Sequence, residues 1–199
     1  MKTIYFDHLK DYIGKELTIE GFVDSIRDLA FVQFVVLRDT TSKIQVTILK
    51  DEQHAALNKI ISNIKIESTL KVTGKLVQNE KVKLHQMELL PTDIVVTSYC
   101  LEDLPFNYKD SQSTLLDTRL NKRFLDLRNE KNLLLFQVQT CLVQAMREFV
   151  LNNKFIELHT PKLIGAASES GAEVFELQYF NKKAYLAQSP QFYKQMAMC

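Results

Sequence analysis

The apolar residues of this chain change their period twice, and that change limits the fold more than any other feature. From 17 to 24, Leu17, Ile19, Gly21 and Val23 alternate with Thr18, Glu20, Phe22 and Asp24. This two-residue repeat is that of a strand with one face buried. Residues 31–37 are nearly all apolar and read as a second strand. Residues 43–49 read as a third, with Ile44, Val46 and Ile48 on one side and Lys43, Gln45 and Thr47 on the other, which predicts an exposed Gln45. Asp39-Thr40-Thr41-Ser42 supplies turn chemistry between these two strands. The period then lengthens. Across 52–65, Ala56, Leu57, Ile60, Ile61 and Ile64 recur at helical spacing. Residues 70–76 and 86–96 return to strand character. Pro91 has no N–H for a ladder, so it marks an edge or a bulge. Residues 1–15 read as a lead-in with one helical turn.

Three strands, a helix and two more strands within the first 100 residues is the element order of an OB-fold barrel. Such barrels bind single-stranded nucleic acid across one face. Another small barrel with no nucleic-acid role has the same pattern, and periodicity leaves both readings open. The formal net charge is +1, so a nucleic-acid surface here has to come from local patches. Cys100, Cys141 and Cys199 are odd in number, far apart and without metal-site spacing, which fits a reduced compartment. No apolar run approaches a membrane span, and the first residues lack a signal-peptide core. The expected location is the cytoplasm, with no membrane partner.

Residues 97–130 read as a linker, broken by Pro105, Asn107 and several serines. Within it, Arg119-Leu120-Asn121-Lys122-Arg123-Phe124-Leu125-Asp126-Leu127-Arg128 concentrates positive charge. A helix face laced by internal salt bridges and a contact for an RNA backbone both explain that run. Residues 131–152 carry the strongest helical pattern, with Leu134, Val138, Cys141, Leu142, Ala145 and Phe149 in one stripe. Leu135, Val143, Met146 and Val150 widen the stripe, so this helix demands cover on more than one side. Residues 155–163 are extended, since the residue before Pro161 is pushed out of helical space. Residues 165–173 are small and polar, as a lid requires. Residues 176–180 and 184–187 form a hairpin turning at 181–183. After it, Ser189 is a natural N-cap and Pro190 suits a first helical position. Gln191 and Lys194 then share one face of the first turn, where a carboxylate ligand is well served. A plain helix cap with two solvated side chains has the same spacing.

Three of these stretches, in order, resemble the aspartyl-tRNA synthetases of class IIb, in their archaeal and eukaryotic cytosolic form. Phe155-Ile156-Glu157-Leu158-His159-Thr160-Pro161-Lys162-Leu163 resembles motif 1 of class II enzymes. Residues 167–175 resemble the loop that closes over the amino acid. Gln188-Ser189-Pro190-Gln191-Phe192-Tyr193-Lys194-Gln195 resembles the aspartate-binding segment. The charged run at 119–128 resembles the class IIb hinge, and Gly21–Asp28 with 34–39 resembles the anticodon-binding barrel. The resemblance implies an OB-fold β barrel followed by an incomplete α+β class II catalytic domain: anticodon-binding domain 1–100, hinge 101–130, and the start of the catalytic domain at 131–199. It implies anticodon contacts from Phe34, which stacks on a base, from Gln45 and Glu88, which read base edges, and from the basic Arg27. Periodicity alone reads Phe34 as core, because its strand is apolar on both faces. The resemblance further implies aspartate binding by Ser168, Glu169, Gln191 and Lys194, and Pro161 at a dimer interface. Lys194 provides a counter-charge for the aspartate side chain that an asparaginyl enzyme has no use for. Ser170 stands where the family usually has glycine, which stiffens the lid or moves Glu169.

The implied activity is aspartate–tRNA ligase. It joins L-aspartate to ATP as the adenylate and transfers it to tRNA-Asp, with Mg2+, in a homodimer. The stretch itself carries none of the catalytic motifs 2 and 3 and no metal ligands: beyond Arg128 its sole arginine is Arg147. It is therefore expected to be inactive alone, with an apolar helix left uncovered. A non-catalytic RNA-binding paralogue and a dimerisation partner are the alternatives.

Overall fold

The computed structural model describes residues 4–166 and 174–199. It divides into two compact units, one ending at Pro105 and one beginning at Phe106.

The first unit is a closed barrel. Its strands are β1 (Glu16–Asp28), β2 (Val32–Arg38), β3 (Lys43–Leu49), β4 (Thr69–Gln78) and β5 (Met87–Ser98), in ring order β1-β2-β3-β5-β4. β1 is long because it serves two neighbours. Residues 16–22 pair with β4, and residues 22–28 pair with β2. The ladder with β2 shifts between Val23 and Ser25, making Asp24 the extra residue of a bulge. A bulge raises local twist, here beside the point where β1 changes partner. β3 and β5 close the ring in parallel through Gln45↔Glu88 and Val46↔Leu89.

Alternation fills the core. Val23, Val35, Leu37, Ile44, Ile48, Leu76 and Leu89 are fully buried, and α1 (Ala55–Ser62) adds Leu57 and Ile61. Each large aliphatic side chain so placed contributes about 1.5–3 kcal/mol of hydrophobic stabilisation. The lead-in is a 3-10 helix, Phe6–Tyr12, with Phe6 and Leu9 buried. Asp39 fastens it: one carboxylate oxygen accepts the Phe6 N–H at 2.8 Å, and the other accepts Thr41 and Ser42 N–H groups in the β2–β3 turn. Pro91 does sit at a bulge, where the register jumps from Thr73↔Asp93 to Gly74↔Pro91. Gly74 is required there, because a Cβ would lie 2.2 Å from the Leu90 carbonyl oxygen and 2.7 Å from the Pro91 Cα.

The second unit holds α2 (Leu116–Asn121), α3 (Arg123–Asp126), α4 (Glu130–Asn152) and α5 (Gln191–Ala197). It also holds the strands β6 (Leu163–Ile164), β7 (Glu176–Tyr179) and β8 (Lys182–Leu186), in sheet order β6-β8-β7. Asp126 is fully buried, and its carboxylate draws the charged run inward. Arg119 Nε donates to Asp126 Oδ1 at 2.8 Å, Arg123 Nη1 donates to Oδ2, and Asn132 Nδ2 donates to Oδ1 at 2.9 Å. For Arg119 and Arg123, then, the internal salt-bridge reading holds.

Asn129 caps α4 by accepting the Lys131 N–H at 2.9 Å. α4 stands uncovered, as expected of this stretch by itself, although its wide stripe calls for cover on more than one side. None of its residues is buried, and Leu142 (60%) and Phe149 (69%) stand open. The stripe is present, but nothing in the described second unit packs over it. Arg147 instead grips Glu157 with two bonds of 2.9 and 3.0 Å, tying α4 to the extended segment after it. The β7–β8 turn is also shorter than expected, starting one residue and ending two residues earlier. Tyr179 pairs with Lys182, so Phe180 and Asn181 form a two-residue loop in which Phe180 takes a left-handed φ of 53°.

Candidate nucleic-acid interface

The four barrel residues singled out by sequence meet on one outer patch. Register brings them there: Arg27 lies opposite Phe34, Phe34 opposite Thr47, and Gln45 opposite Glu88. Phe34 stands between the buried Gln33 and Val35 and is itself half-buried, so it faces outward and is not core. The Arg27 guanidinium lies over its ring, 5.1 Å from the centroid. Arg27 Nη2 also donates to Gln45 Oε1 at 3.3 Å. Gln45 Nε2 donates to Thr47 Oγ1 at 3.2 Å and to Glu88 Oε2 at 3.4 Å. Asn79 Nδ2 donates to Glu88 Oε1 at 2.6 Å, and the Thr47 hydroxyl donates to Oε2.

Gln45 corrects the sequence reading. It faces outward, yet only 7% of it is exposed, because Arg27, Thr47 and Glu88 crowd over it. Alternation gives a side chain's direction and not its cover. Thr47 and Asn79 were missed. Thr47 was legible, since it shares the outer face of β3 with Gln45. Asn79 carried no signal beyond its place at the end of a strand. At the rim, Lys50 and then Gln33 hold the Asp28 carboxyl below the ordinary aspartate range by hydrogen bonding. Lys81 and Lys83 are exposed in the β4–β5 loop, where they supply local positive charge.

The second candidate lies at the start of α5. Ser189 Oγ accepts the Gln191 N–H at 3.2 Å, as expected of a cap, but Pro190 occupies the capping position and Gln191 opens the helix. Gln191 and Lys194 are both exposed, one turn apart. Ala187 N–H bonds to the Lys162 carbonyl at 2.9 Å, which sets the segment entering α5 beside the one entering β6. Pro161 is exposed on that extended segment. Ser168, Glu169 and Ser170 lie outside the described residues. Among the described residues, no group of three or more His, Cys, Asp or Glu could hold a metal ion.

Residues 17–97 match the family of OB-fold nucleic acid binding domains, and residues 115–199 match the class II tRNA synthetases (D, K and N). An aspartate–tRNA(Asp) ligase of Pyrococcus horikoshii is 37% identical over all 199 residues. The chain thus carries an OB-fold barrel followed by part of a class II tRNA synthetase domain. It spans about half the length of its relatives, 45% of the P. horikoshii ligase. An aspartate–tRNA(Asp/Asn) ligase of Methanopyrus kandleri is 40% identical over 93% of this chain and 43% of its own. Among solved synthetases, the asparaginyl-tRNA synthetase of P. horikoshii, in complex with asparaginyl-adenylate, superposes with a TM-score of 0.89 at 25% identity. That match covers 100% of this chain and 45% of the other. The architecture of an OB-fold barrel followed by part of a class II synthetase domain is thus common to aspartyl and asparaginyl branches, and the fold by itself does not name the amino acid.

Proposed function

We propose that this chain is part of an aspartate–tRNA ligase whose barrel binds the anticodon of tRNA-Asp and whose second unit carries half of an L-aspartate site. The observation that carries this reading is the convergence of Arg27, Phe34, Gln45 and Glu88 on one outer patch. An aromatic face under a guanidinium stacks on an unpaired base, at about 1–3 kcal/mol per base. Amide and carboxylate groups beside it accept and donate along base edges. In the second unit, Lys194 serves the ligand's side-chain carboxylate as a point charge and Gln191 offers an amide; the resemblance adds Ser168 and Glu169, which lie outside the described residues.

The complete enzyme takes ATP with Mg2+, and bound nucleotide supplies the activated phosphate for aspartyl-adenylate. The described residues do not fit that group. Arg147, the sole arginine after Arg128, is engaged by Glu157, and among the described residues no carboxylate cluster could hold a cation. No adenylation step is therefore derived from this chain, and it is expected to show no aspartate-dependent ATP–pyrophosphate exchange by itself. The homodimer forms through Pro161 and the apolar stripe of α4. A reduced, cytoplasmic setting is supported by the cysteines, which are all free thiols.

The test is binding of the chain to tRNA-Asp by fluorescence anisotropy. Phe34→Ala is expected to weaken it by about tenfold or more, given the stacking energy, with Gln45→Ala a smaller loss. Unchanged affinity in both variants would overturn the reading.

A further inference from the structure

We infer that Asn79 and Thr47 are positioning residues that aim the Glu88 carboxylate at a base, with Asn79 also locking the β4–β5 loop beside it. The inference rests on the anticodon-binding reading of the barrel.

Glu88 is 7% exposed and is held by neutral donors. Asn79 Nδ2 reaches Oε1 at 2.6 Å, while the Thr47 hydroxyl and Gln45 Nε2 reach Oε2. A carboxylate offers about four acceptor directions. Three are filled here, so the group is fixed in orientation with one direction left for a base N–H. Because a carboxylate only accepts, Gln45 has to turn its NH2 toward Glu88, and its Oε1 then faces Arg27.

Asn79 does more than donate. Its Oδ1 accepts the Lys81 N–H at 3.0 Å, its carbonyl accepts the Val82 N–H at 3.0 Å, and its own N–H donates to the Gln86 carbonyl at 2.8 Å. It thus ties both ends of the loop and the carboxylate together. The loop needs tying. His85 and Gln86 both take left-handed backbone, each at φ 54°, and non-glycine residues stay there only when their surroundings hold them. His85 Nε2 lies 2.9 Å from Ser42 Oγ, a further pin. Loop shape and carboxylate direction are therefore coupled through Asn79, with Thr47 and Gln45 sharing the hold on the carboxylate.

The experiment uses the full chain and four RNA hairpins: one with the anticodon loop of tRNA-Asp and three with one anticodon base exchanged in each. The ratio of dissociation constants gives discrimination at each position. Glu88→Gln is expected to lower discrimination at one position by about tenfold, the cost of an unmatched buried polar group. Asn79→Asp, which sets a second carboxylate against Glu88, and Thr47→Val are expected to lower discrimination at that same position. In a Glu88→Gln background neither should lower it further, since groups acting through one residue are not additive. Thr47→Ser, which keeps the hydroxyl, should restore it. Thr47→Val lies on β3 outside the loop, so it remains informative if Asn79→Asp unfolds. The inference is overturned if Asn79→Asp and Thr47→Val weaken all four hairpins equally, leave discrimination intact, or add fully to Glu88→Gln. If Glu88→Gln and Phe34→Ala both leave hairpin binding unchanged, the anticodon reading itself fails, which is a separate result.

Discussion

The barrel and α4 carry equally clear apolar patterns, and only one of them is covered. In the barrel, every strand sends alternate side chains into a single core, where Leu37, Ile44 and Leu89 lose all contact with water. In α4 a stripe of similar quality stays open, with Val138 at 58% and Met146 at 62% exposure. An apolar period is a property of a segment, whereas burial is a property of its neighbours. The pattern states what a segment needs, and the surrounding chain decides whether it gets it.

The sharpest way to break this contrast is to truncate one leucine in each place. Leu37→Ala or Leu89→Ala should cost about 2–5 kcal/mol in urea unfolding, as removal of a fully buried side chain does. Leu142→Ala should stay within about 0.5 kcal/mol in the monomeric chain, at concentrations too low for it to dimerise. A large loss at Leu142 would mean that α4 is covered in solution. Next in size is Asp126→Asn, which keeps the shape and removes the charge that Arg119 and Arg123 surround. About 2 kcal/mol is expected, as for hydrogen bonds to charged groups. Hydrogen exchange should quicken across 116–132 while the barrel's exchange stays as it was. Gly74→Ala should destabilise the barrel by about 1–3 kcal/mol, because the added methyl overlaps the Leu90 backbone. Its melting transition should fall without change in the second unit.

The smallest effect is electrostatic. Arg147, mainly by hydrogen bonding, holds the Glu157 carboxyl below the ordinary glutamate range. The folded carboxyl is thus the stronger acid. Its stabilisation is complete above the ordinary glutamate range and fades as pH falls through the depressed value. Carboxyl NMR should find Glu157 titrating low, and moving up in Arg147→Gln. No upward movement would remove the pair as a tie between α4 and the segment after it.

Much of the barrel was legible in the sequence. Five strands and the intervening helix could be placed from period alone, and Pro91 marked an edge or a bulge, of which the structure has the bulge, because a residue without an N–H cannot sit in a regular ladder. What could not be read were effects set by partners distant in the chain. Gln45 points outward as alternation requires, but its cover comes from Arg27 and Glu88 on other strands. The run at 119–128 left two readings open because charge composition does not reveal that Asp126 would turn inward. The α5 face was legible as Gln191 and Lys194 on one turn, since that follows from spacing alone. The β7–β8 loop was placed too late because Lys182 and Lys183 look like turn residues, yet they pair with Tyr179 and Gln178.

The closure of the five-stranded ring bears on how such a surface can evolve. With β3 joined to β5 and β4 to β1, the ring is closed and the barrel leaves little backbone edge open for pairing. Recognition has to be written in outward side chains, and those can be exchanged while the hydrogen-bonded ring beneath them stays whole. A lineage can therefore revise the outer patch by single substitutions at the periphery, without passing through unfolded intermediates.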